Sequence, residues 1–187
     1  MTKITALDLK PVDPMPEATQ KYLDICQEKL GLVPNVIQAY TFDIAKLNSF
    51  TAMYNELMLG DSGLSKLERE MVAVAVSSIN RCWYCQVAHG AAVRALSGNP
   101  ALGEAMVMNW RAAQLDARQT AMLTFAEKVT KTSSEVVEAD RQALRDVGFT
   151  DRDIFDIAAC VGFYSMSNRV ASAIGMQPNP EYHTQAR

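Results

Sequence analysis

Four residues in one stretch of this chain carry groups able to do chemistry: Glu70, Cys82, Cys85 and His89. Cys85 follows Cys82 by three positions and His89 follows Cys85 by four, so on a helix both thiols and the imidazole leave one face within about a turn. A dithiol beside a base is equipped for thiol redox chemistry. The thiolate is the attacking form, and a second thiol closes a disulfide once the first has become a sulfenic acid. The combination suits the reduction of peroxides. It requires no bound cofactor, because the two sulfurs themselves carry two electrons.

Glu70 borders the apolar run Met71 to Val76, a setting in which a carboxylate is expected to have a partner. It precedes Cys82 by twelve residues, which on one straight helix is roughly 18 Å. A proton cannot be relayed over that span, so the chain has to turn back between Ser77 and Arg81. Ser77, Ser78 and Asn80 are poor helix continuers, since their side chains compete for backbone hydrogen bonds. A break there also places Cys82 at or near a helix N-terminus, where free amides and the dipole lower a thiol's pKa, and a protonated His89 acts in the same sense. The residues leave open which sulfur attacks first. Cys85 has His89 one turn away as a base, whereas Cys82 is better placed against the dipole.

The elements that must position these groups are all helical. Apolar positions Tyr22, Leu23, Cys26 and Leu30 recur at helical spacing from Glu17 to Leu30, with Pro16 before the first turn and Gly31 to end it. A short helix is predicted after Pro34, and Asp43 caps a longer one carrying Ile44, Leu47, Phe50, Met53, Tyr54, Leu57 and Met58, closed by Gly60. Ser65 with Glu68, Asp116 with Gln119 and Thr150 with Asp153 read as capping boxes, and Asn99-Pro100 as a further start. Another helical pattern runs from Ala139 to Val147. No segment alternates with period two and no Asn-Gly or Asp-Gly turn occurs, so the predicted fold is an all-α bundle of about eight helices. Gly63-Leu64-Ser65 with Glu68 and Gly148-Phe149-Thr150 with Asp153 repeat one pattern, which fits either a duplicated helical unit or two helices sharing good caps.

The 187 residues fit one domain, spanning 1–187, with an extended arm over 1–16 broken by Pro11, Pro14 and Pro16 and a tail over 176–187. With 18 basic and 21 acidic residues the net charge is −3, and a pI near 5.4 speaks against a nucleic-acid partner. No apolar run approaches the roughly 18 residues of a membrane span, and Asp8, Asp13 and Glu17 spoil a targeting peptide. A cytoplasmic address is expected. The four cysteines, unevenly spaced, are then expected as thiols rather than structural disulfides.

The stretch Glu70, eleven residues, Cys82-x-x-Cys85, three residues and His89, in an alanine- and valine-rich helix opened by Leu64-Ser65, resembles the AhpD-like alkylhydroperoxidases of the carboxymuconolactone decarboxylase superfamily, in their peroxidase-related branch. Weaker similarity covers most of the chain, including Leu30-Gly31-Leu32-Val33-Pro34-Asn35 and Pro178-Asn179-Pro180-Glu181-Tyr182-His183. The resemblance implies an AhpD-like helical fold and assembly into trimers or hexamers. It also implies reduction of hydroperoxides through a disulfide that a dithiol reductant returns to thiols. By motif position it implies Cys85 as the peroxidatic cysteine, Cys82 as the resolving one, and Glu70 and His89 as proton-relay groups. Tyr84 stands where the best-known members have a histidine.

Other readings of the same residues are a zinc site of Cys82, Cys85 and His89 completed by Glu70 or His183, inert packed thiols, a lactone-decarboxylating enzyme, and a non-enzymatic thiol redox sensor. Cys26 and Cys160 read as small core residues, and Met53, Met58, Met106, Met108 and Met122 as core fillers. His183 reads as solvated or at a subunit contact, and Trp83 with Tyr84 as lining a pocket mouth or an interface.

Overall fold

The computed structural model describes residues 3–187, so Met1 and Thr2, the start of the expected arm, lie outside the described residues. Among the described residues nine α-helices follow one another: α1 (Glu17–Leu30), α2 (Asn35–Tyr40), α3 (Ile44–Leu59), α4 (Lys66–Ile79), α5 (Trp83–Ser97), α6 (Pro100–Asn109), α7 (Ala117–Thr132), α8 (Glu138–Asp146) and α9 (Asp151–Ala173). No strand occurs among the described residues, and the short helix expected after Pro34 is the six-residue α2.

The helix starts follow from local chemistry. The Asp43 carboxylate accepts the Lys46 amide, Asn99 accepts the amides of Ala101 and Leu102, and all three capping boxes form. Each such cap contributes about 1 kcal/mol by satisfying amides that the helix leaves without partners. Two caps meet in space. Arg118 of α7 bridges them, donating to Glu68 of the α4 box at 2.8 Å while its guanidinium lies 3.6 Å from the centre of the Phe149 ring beside the α9 box. Gly63 is required here, since a Cβ would sit 2.1 Å from the Asp153 carboxylate oxygen.

Helix α4 is the axis of the molecule. Every residue from Glu68 to Ser77 is buried, and α3, α5, α6, α7 and α9 pack around it. A helix apolar on all sides is stable only when enclosed in this way. The buried guanidinium of Arg69 is satisfied by the carbonyls of Leu57, Gly60 and Leu64, which ties the end of α3 to the start of α4. Cys160 is core as expected, but the methionines divide: Met58, Met106 and Met122 are buried, whereas Met53 and Met108 face outward on the far sides of α3 and α6.

The two ends of the chain fasten together. The Ala6 amide donates to the Ile174 carbonyl and the Gln177 amide to that of Ile4. Beyond α9 the segment does not run off into solvent. Asn179 is buried, accepting the Asn35 amide at 2.7 Å and donating to the Val33 carbonyl at 2.9 Å, so it caps α2 from a distance of 144 residues in sequence. Arg94 of α5 then donates to the carbonyls of Tyr182 and Gln185.

Candidate active site

The chain breaks where the sequence predicts. α4 ends at Ile79, and a left-handed residue, Arg81 with φ +55°, reverses it. The Arg81 amide bonds to the Ser78 carbonyl and the Cys82 amide to that of Ser77, the paired pattern of a Schellman motif, with arginine at the position that glycine usually holds. Asn168 of α9 pins the turn from outside, its amide nitrogen donating to the Ser77 hydroxyl at 2.9 Å and its oxygen accepting from Asn80 at 3.0 Å. Two rods packed side by side result, α4 carrying Glu70 and α5 carrying the cysteines and His89.

Cys82 is the N-cap of α5 and Cys85 lies in its first turn, each only 1% exposed. His89 follows one turn on and meets Glu70 across the helix pair, Nδ1 to Oε2 at 2.7 Å, with both side chains largely enclosed. With Glu70 as a carboxylate, Nδ1–H is the donor and Nε2 is left to exchange protons with whatever occupies the space beside it. The His89 ring is held edge-on by Tyr164 of α9, with centroids 4.7 Å apart.

That space is a cavity of about 350 Å³ whose wall includes Glu70, Cys85, His89 and Tyr164. Most of the rest of the wall is apolar and aromatic, with Lys66, Ser167 and Gln185 as its other polar members, and α1, α3 and the C-terminal segment supply much of it. Cys82 is not on this wall. It belongs to a small buried cluster with Tyr84, Cys85, Ala171 and Met176. The two sulfurs also differ in charge. The Cys85 thiol, first of all, then the amide of Cys85, the Ser172 hydroxyl and His89 favour a thiolate at Cys82 and bring its pKa down to about 6, against the cost of burial. Cys85 is pushed far up by the same neighbour and by burial, so of the two sulfurs Cys82 is the one that favours the thiolate.

Several wall residues carry no signal in the motif. Cys26, read as a core residue, opens onto the cavity, and so do Tyr182 and Gln185 of the tail. Tyr84 is buried on the wall, where its hydroxyl accepts the Val36 amide at 3.2 Å, and Trp83 is 53% exposed with its ring 6.5 Å from that of His183. Among the described residues no three of the His, Cys, Asp and Glu side chains are grouped to hold a metal ion. No described helix is long and apolar enough to cross a membrane.

An all-helical bundle that brings an acid, an imidazole and a C-x-x-C pair together across a helix break defines the AhpD-like class, and the chain belongs to this group within the carboxymuconolactone decarboxylase superfamily. The carboxymuconolactone decarboxylase family profile matches residues 47–101, from α3 to the start of α6. A peroxidase-related protein from Silicibacter sp. TM1040, itself uncharacterised, is 66% identical over 99% of this chain and 97% of its own, with a TM-score of 0.97. A second from Ralstonia eutropha JMP134, described as an alkylhydroperoxidase AhpD core, is 42% identical over 100% and 98%, with a TM-score of 0.96. The debrominase Bmp8 shares the fold alone, at 15% identity over 100% and 97% and a TM-score of 0.78. No curated protein matches the chain. Membership supports a peroxidase-related or carboxymuconolactone decarboxylase-type function.

Proposed function

We propose that the protein is a thiol-dependent hydroperoxide reductase, with Cys85 as the cysteine that meets the peroxide and Cys82 as the one that resolves it. The observation that carries this reading is the division of the dithiol. Cys85 shares a cavity wall with the Glu70–His89 pair, while Cys82 lies off that wall and is the sulfur whose surroundings favour a thiolate. The Cys85 proton moves to the hydrogen-bonded Cys82 thiolate, which shifts the pair's charge onto Cys85, and His89 draws that proton on from there. The sulfur attacks the terminal peroxide oxygen, the S–O bond forms as O–O breaks, and His89 returns its proton to the departing alkoxide, leaving Cys85 as a sulfenic acid and an alcohol as product. The Cys82 thiolate then displaces hydroxide from Cys85, closing the disulfide, which an external dithiol reduces. Glu70 orients His89 and offsets its charge while the proton is held.

The test is steady-state turnover of a small organic hydroperoxide with dithiothreitol, paired with sulfenic-acid trapping. The unmodified protein turns over many times, Cys82→Ser accumulates a trappable sulfenic acid at Cys85, and Cys85→Ser gives none. One stoichiometric oxidation and then arrest would identify a sensor instead. Lactone decarboxylation that survives both substitutions would identify the decarboxylase branch. The family likeness favours a homo-oligomer, a trimer or hexamer, for which sedimentation of a single monomeric species is the disproof.

A further inference from the structure

Among the described residues one buried side-chain polar atom lacks a hydrogen-bond partner, the hydroxyl of Tyr164. Leaving such a group unpaired destabilises the fold, and a phenylalanine would fill the same space without that cost. The ring needs no hydroxyl to stay in place, because it is packed edge-on between His89, at 4.7 Å, and Phe163, at 5.3 Å. The cavity that Tyr164 helps to wall is the one holding Cys85, Glu70 and His89. Tyr84, on the same wall, already has a partner for its hydroxyl, which accepts the Val36 amide at 3.2 Å. Burial and the neighbouring Glu70 hold the Tyr164 phenol well above its usual pKa, which keeps it a donor at any working pH.

We propose that the Tyr164 hydroxyl is the hydrogen-bond donor for the peroxide, positioning the O–O group against Cys85 and stabilising the oxygen on which alkoxide charge develops. The assignment rests on the hydroperoxide reductase reading. As the Cys85 sulfur bonds to the terminal oxygen and the O–O bond breaks, the electron pair of that bond goes to the inner oxygen. Tyr164 donates to that oxygen without losing its proton, and the proton that completes the alcohol comes from His89. The hydroxyl is sealed by its neighbours, so the contact forms as the substrate seats against the ring, and a donor with no earlier partner needs no bond broken to serve it.

Tyr164→Phe tests this with three measurements on the full chain: the thermal midpoint, kcat and KM for a small organic hydroperoxide, and the rate at which Cys85 reacts with an aromatic disulfide reagent that has no O–O bond. The expected result is an unchanged or raised midpoint, kcat lowered on the order of a hundredfold with a smaller change in KM, and an unaltered disulfide-reagent rate. Equal hydroperoxide kinetics in the two proteins would overturn the assignment and leave the reductase reading intact. A variant that fails to fold, or that loses both reactivities together, would overturn it too, because it would show that the hydroxyl serves the fold. Absence of turnover in the unmodified protein would overturn the reductase reading and this assignment with it.

Discussion

Each sulfur of the pair owes its state to the other. The Cys85 thiol draws Cys82 toward the thiolate and is itself held protonated by it, and the arrangement fixes how the dithiol responds to pH. Cys82, with its pKa lowered to about 6, contributes stability that is present above the unfolded thiol value of about 8.5 and lost as pH falls through about 6. Cys85 is shifted the other way, so its contribution is present below about 8.5 and lost as pH rises beyond it. The stability due to the pair therefore climbs from about pH 6 and is greatest near about pH 8.5. Urea midpoints across that range, taken as the difference between the unmodified protein and a Cys82→Ala/Cys85→Ala variant, should trace this profile; a flat difference would show two independent thiols. Thiolate absorbance should rise with a midpoint near pH 6 in the unmodified protein and near the ordinary thiol range in Cys85→Ala. The four motif residues were legible in the sequence because their spacing alone puts them on helix faces. The unequal charge of the two sulfurs was not, since Ser172 comes from α9, 90 positions away from Cys82 in sequence.

At the scale of elements, the α4–α5 junction joins the two halves of the site. The sequence located it through Ser77, Ser78 and Asn80, whose side chains weaken a helix, but it offered no glycine to mark the left-handed residue, and Arg81 takes that conformation. An exposed arginine at φ +55° carries a cost of about 1 kcal/mol relative to glycine. Arg81→Gly should thus raise the thermal midpoint by about 2–4 °C in a chain of this size, without moving the ionisation of Cys82; a lowered midpoint would mean that the arginine side chain holds the turn. The helix caps were legible for the same reason the junction was, being decided within four residues. The cavity was not, because its wall is assembled from α1, α3, α5, α9 and the tail, and nothing local in Cys26, Tyr54 or Tyr182 states that they face one another.

Over the whole molecule, the last ten residues act as a wall and a clamp. Asn179 caps α2, Tyr182 closes the cavity, and Arg94 grips the backbone on either side of the final turn. Removing residues 178–187 leaves the Asn35 amide and the Arg94 guanidinium without their partners. It should lower stability by about 2–4 kcal/mol and depress hydroperoxide turnover by more than it depresses the reactivity of Cys82; unchanged stability would show the segment to be ornamental. Only two tryptophans are present, and they occupy very different surroundings. Trp110 is buried and bonded to Glu127, whereas Trp83 lies between the two cysteines in sequence with its indole half in solvent against His183. The molecule thus carries its own optical gauge: emission from Trp83 should change colour and brightness each time the neighbouring sulfurs join or part, over a steady background from Trp110, so that oxidation and recovery can be followed in real time without any added dye.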